Sequence, residues 1–170
     1  ISLRLKDSTV NDTSGKFNPL DIFAQNLNID LSAYVNLNTN KIRGNIKNIS
    51  FNEQINKFNL SSLAVLFQMD SSSINIDKLN LITDNSSLNI VAKLNEFSPL
   101  SKENYTDIEK AIFDVNADID SINTNDLLKF IVLPFNNNQV AHIKLVANGT
   151  NSELVIQQLN ANIGNTHIDL

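Results

Sequence analysis

One stretch restricts the fold more than any other: "LNIDLSAYVNL", residues 27–37, alternates without a fault. Leu27, Ile29, Leu31, Ala33, Val35 and Leu37 fall on one side, and Asn28, Asp30, Ser32, Tyr34 and Asn36 on the other. On a helix the apolar members would surround the whole circumference. In an extended chain, side chains point to opposite faces with a period of two. At about 3.3 Å per residue the stretch spans roughly 35 Å, long for a globular strand. The chain is therefore expected to build sheet with one oily face, and something must cover that face.

Elsewhere the alternation skips a beat in a recurring way. Ile46 is followed by "KN" and then by Ile49 and Phe51; Phe58 and Leu60 are followed by "SS" and then by Leu63, Val65 and Phe67. Ile74 and Ile76 precede "DK", Leu79 and Leu81, while Leu154 and Ile156 precede "QQ", Leu159, Ala161 and Ile163. A one-residue slip turns every later side chain to the other face unless a bulge absorbs the extra residue. Two structures satisfy this pattern: bulged strands that keep the oily face continuous, or pairs of short strands meeting at a corner. A longer echo relates "LNLITDNSSL" (79–88) to "LNANIGNTHI" (159–168), a repeat of one supersecondary unit rather than a short-period solenoid.

Turns rich in Asn, Asp, Ser and Gly ("NDTSGK", "NTNK", "TDNSS", "NNNQ", "NGTNS") separate the strands. Only two places depart from strand. "SPLSKENYTDIEKAI" (98–112) reads as an irregular loop or a short helical turn, and "NTNDLLKFIV" (123–132) as a short helix capped by Thr124 or Asn125. No linker divides the chain. The expectation is all-β: an elongated curved antiparallel sheet with one short helix near 124–132. Beginning without Met and ending in strand pattern, residues 1–170 are expected to be a single segment of a longer repetitive protein.

The remaining features exclude more than they suggest. Thirteen basic against 18 acidic residues, with no basic cluster, argue against nucleic acid as a partner. Without cysteine there is no disulfide framework or thiolate metal site. Apolar runs such as "FIVLPF" are too short for a membrane span, and no signal-peptide pattern is present. Asparagine crowds the polar positions, as codon bias in an AT-rich genome would produce.

"DVNADID" (114–120) imitates the start of a calcium loop through Asp114, Asn116 and Asp118. Ile119 stands where the loop needs glycine and Asn125 where it needs a bidentate glutamate, so the solvated face of a strand is the better account. His142 and His167 lie in separate strands without neighbouring ligands, and no serine sits in a nucleophile elbow. Four scattered glycines cannot cradle a phosphate. The sequons at Asn85 and Asn148 are what chance provides in such a composition. No catalytic residue, metal site or cofactor is indicated, and the chain does not read as an enzyme.

The series from Ile42 to Leu94, "IRGNIKNISFNEQINKFNLSSLAVLFQMDSSSINIDKLNLITDNSSLNIVAKL", resembles the TamB/AsmA-like superfamily of long periplasmic β-proteins. "FNPLDIFAQNLNIDL" (17–31) and "DSINTNDLLKFI" (120–131) resemble segments of the same family. The resemblance implies a U-shaped "β-taco" solenoid whose concave side is an apolar groove. It further implies a periplasmic location, an inner-membrane anchor outside these residues, and phospholipid acyl chains moving along the groove between the inner and outer membranes. A link to outer-membrane assembly through an Omp85-type partner, made by other parts of the chain, is implied as well. The groove lining would be Leu27, Ile29, Leu31, Val35, Leu37, Phe58, Leu60, Leu63, Val65, Phe67, Ile74, Ile76, Leu79, Leu81, Leu88, Ile90 and Leu94. The competing expectation is a structural or adhesin-like β-protein segment, in which a second sheet covers the first and the core is closed and dry.

Overall fold

The computed structural model describes residues 1–6, 21–55, 57–97, 111–128, 139–150 and 152–170. Strands β1 (Leu3–Lys6), β2 (Asp21–Asn36), β3 (Lys41–Glu53), β4 (Phe58–Met69), β5 (Ser73–Thr83) and β6 (Ser87–Asn95) follow one another. After them come β7 (Ile112–Asn123), the helix α1 (Thr124–Leu128), β8 (Val140–Gly149), β9 (Leu154–Ile163) and β10 (Thr166–Asp169). All ten strands join one antiparallel sheet in chain order, and β1 does not pair with β10, so the sheet is not closed into a barrel. Two minor contacts aside, each described strand packs only against its sequence neighbours, and α1 packs on β7.

All four skipped beats lie inside continuous strands, as bulges. Asp30 pairs with Asn48 and Leu31 with Ile46, which leaves Lys47 as the extra residue on β3. On β4 the extra residue is Ser61, between the pairs Leu60–Thr83 and Ser62–Ile82; on β5 it is Asp77, between Leu66–Lys78 and Phe67–Ile76. On β9 it is Gln157, between Val146–Gln158 and Ala147–Ile156. Each of the four is polar and exposed. The bulge thus sends a second polar residue outward and returns the next aliphatic residue to the apolar face, bending the strand as it does so. Two further shifts, between Gln25 and Asn28 in β2 and between Ile119 and Ile122 in β7, fall at the polar pairs "QN" (25–26) and "DS" (120–121). The echo at 79–88 and 159–168 is also real in three dimensions: Leu81–Leu88 and Ala161–Ile168 pair at equivalent positions of two hairpins.

Two local expectations change and a third, the strand reading of residues 114–120, stands. β2 ends at Asn36 rather than Leu37 because the Asn36 side chain accepts the N–H groups of Asn38 (3.0 Å) and Thr39 (3.3 Å), turning the chain. The helix is capped by Asn123, whose Oδ1 accepts the Asn125 N–H at 2.9 Å, so Thr124 and Asn125 are its first residues rather than its cap. "DVNADI" is strand, with Asp118 facing Lys144 at 3.9 Å. The loop expected at 98–112 and the helix beyond residue 128 fall mostly outside the described residues.

One rim of the sheet is tied by a buried polar cluster. Asp126 Oδ2 accepts from Thr83 Oγ1 (2.6 Å) and Ser86 Oγ (2.8 Å), and Ser86 Oγ accepts the Asn123 N–H (3.0 Å). Thr124 exchanges backbone and side-chain bonds with Gln139. These links join the β5–β6 turn to α1 and to the start of β8. Asp126→Ala would leave two buried hydroxyls without their acceptor, and a loss of about 1–3 kcal/mol in urea-unfolding stability is expected. At the opposite rim, Asp70 Oδ1 accepts the Ser72 N–H at 2.9 Å, and this bond holds the carboxyl below its ordinary value of 3.8. A lowered folded-state value means stability that is complete above 3.8 and fades as pH falls through it. Because the group is exposed the effect is small. Asp70→Asn should flatten the acid limb of a plot of urea midpoint against pH, measured from neutral pH to below 3.8.

Candidate functional site: a continuous apolar face

Strand registers place the apolar residues in rows that run across the sheet. One row is Leu31, Ile46, Val65, Leu79, Ile90, Ala117, Leu145 and Leu159, from β2 to β9. Beside it run Ala33, Gly44, Phe67, Ile76, Ala92, Val115, Ala147 and Ile156, and then Val35, Ile42, Met69, Ile74, Leu94, Phe113, Gly149 and Leu154. A fourth row, Ile29, Ile49, Leu63, Leu81 and Leu88, crosses β2 to β6. With neighbouring strands about 4.8 Å apart, a row from β2 to β9 is roughly 35 Å long.

Thirteen of the 17 residues expected to line a groove stand in these rows. Phe58 and Leu60 pair with Glu53 and Thr83 at one end of the same face, Leu27 precedes Ile29 by two residues in β2, and Leu37 stands outside the strand, in the turn and 81% exposed. The expectation omitted Ile42, Ile46, Ile49, Met69 and the whole contribution of β7 to β9. The same alternation, applied to β3 and the end of β4 and followed past Leu94, would have found them.

Among the described strand residues, three polar side chains stand on the apolar face, all at the rim that carries α1: Thr83, Glu53 and, opposite Ile163, Thr166. Thr83, paired with Leu60, belongs to the Asp126 cluster. Glu53, 2% exposed, accepts the N–H groups of Phe23 (3.1 Å) and Ile55 (3.0 Å) through Oε1 and so closes the β3–β4 corner. Nearby Phe58 and Leu60 are buried, but Leu63, Val65, Phe67, Ile74, Ile76, Leu79, Leu81, Leu88, Ile90 and Leu94 are all half-buried. On β2 the exposure rises further, to 60% at Leu31. A face covered by a second sheet would be fully buried over its middle rows.

The opposite face is mostly polar, with Leu66, Ile82, Val91 and Val155 exposed among its polar residues. Lys47 reaches Asp30 at 3.3 Å, Asn80 donates to Asn89 at 2.9 Å, and His167 bonds Asn162 at 2.6 Å. His142 contacts the Asp120 carbonyl rather than another ionisable side chain. A shallow depression of about 260 Å³ there is lined by Asp118, His142, Lys144, Asn160 and Asn162 among others, with no nucleophile and base in contact. Among the described residues no three His, Asp or Glu side chains converge to hold a metal.

No family model, curated protein or solved structure matches the chain.

The exposure gradient has a direct energetic consequence. Leu60→Ala, at a site 5% exposed, is expected to cost about 2–4 kcal/mol. Leu31→Ala, at 60% exposure, should cost well under about 1 kcal/mol. Urea unfolding of the two variants checks this; equal losses would mean that β2 is covered as thoroughly as β4.

Proposed function

We propose that this chain is a periplasmic segment of a TamB/AsmA-like protein, and that its apolar face is a groove for phospholipid acyl chains passing between inner and outer membranes. The observation that supports it is the set of apolar rows across β2 to β9, whose large side chains are half-buried from Leu63 to Leu94 and exposed at Leu31 and Leu154. Each methylene laid on such a surface gains about 0.8 kcal/mol. The contacts are non-directional, so the gain is nearly the same at successive positions along a row, and a chain can slide without leaving a deep well. The headgroup stays in water at the rim. On this proposal the protein is not an enzyme and needs no cofactor. An anchor in the inner membrane and an Omp85-type partner belong to other parts of the full protein.

The test is native mass spectrometry of the purified protein in detergent-free buffer, with solvent extraction of what co-purifies. Retained phospholipid is expected, and Val65→Asp should reduce it severalfold, because a carboxylate in the middle row must be desolvated by any chain that crosses it. A lipid-free, monodisperse wild type would instead favour a closed, dry β-protein.

A further inference from the structure

Gly44 is the only residue without a side chain in the interior of the apolar rows of β3 to β6, and its backbone does not need one absent. Its φ is not positive, so the conformational freedom of glycine is not what the position uses. What it uses is space. Gly44 pairs with Phe67 on β4, and a Cβ built on Gly44 would lie 2.2 Å from Cε1 and 2.3 Å from Cζ of that ring. The Phe67 ring therefore lies down across the β3 backbone, and Gly44 is buried beneath it. An aromatic ring over a strand glycine is a known way of making good the packing that glycine gives up. Here it has a second effect. Phe67 is the one aromatic residue in its row, among Ala33, Ile76, Ala92, Val115, Ala147 and Ile156. A standing ring would interrupt the row; a flat one continues it.

We propose that Gly44 is a positioning residue for lipid passage: by letting the Phe67 ring lie flat, it keeps the apolar face clear where β3 meets β4. This rests on the acyl-chain groove proposed above. A larger residue at position 44 meets only the far edge of a rotatable ring, so the ring rises and the strands stay paired.

Three variants test it: Gly44→Val, Phe67→Ala, and the two combined. Transfer of fluorescent dioleoyl phosphatidylcholine between vesicles is measured, alongside binding of dihexanoyl phosphatidylcholine and a thermal melt. Gly44→Val should slow transfer severalfold, while short-chain binding, which needs only part of a row, stays at the wild-type level. The combined variant should recover transfer. Parallel loss of short-chain binding and melting temperature would show a merely structural role and overturn the proposal. Transfer by Gly44→Val at the wild-type rate would overturn it while leaving the groove intact. A wild type that neither binds nor transfers lipid would bring down both.

Discussion

Everything in this sheet depends on parity. A strand offers its side chains to two faces in strict alternation, and one extra residue exchanges the faces for the rest of the strand. Strands of 9 to 16 residues, from β2 to β9, give many chances for that error to accumulate. The chain corrects it locally: Lys47, Ser61, Asp77 and Gln157 each absorb one residue on the polar side, and the aliphatic rows resume in phase. The bulges are the reason why a residue on β2 and a residue on β9 can belong to the same apolar row.

That correction was largely legible in the sequence, since a pair of polar residues between two alternating runs must mark either a bulge or a corner. What the pattern left open was whether the chain bends through such a pair or breaks there. The answer comes from pairing: Leu63 and Val65 find partners on both β3 and β5 in continuous ladders, which a corner would have divided. The absence of a second layer among the described residues was also less legible. Alternation describes a face and says nothing of what lies against it; the half-buried middle rows and the neighbour-only packing of the described strands carry that information.

Least legible were the ends of elements. Asn36 takes Leu37 out of β2 with two side-chain bonds, and Asn123 replaces Thr124 as the helix cap because β7 runs on to Asn123. Short polar side chains can serve many local partners, and composition crowded with asparagine offers several candidates for each cap. The cluster of Thr83, Ser86 and Asp126 could not be read at all from the chain, since Asp126 lies some 40 residues from the other two and meets them only through the sheet order. The apolar rows show the converse: thirteen of their residues could be assigned to one face because each needs only its own parity.

A meander in which each strand touches only the strands before and after it has an unusual folding economy. Its strands pack against consecutive strands, so assembly can start at any hairpin and advance one strand at a time. Its stability grows by increments instead of arising from one central core. The same modularity bears on descent. The bulged hairpins formed by 79–88 and 159–168 hold the same register at separate places in the sheet. A chain built this way can lengthen by duplicating a hairpin, because a new pair of strands with correct parity extends every row already present.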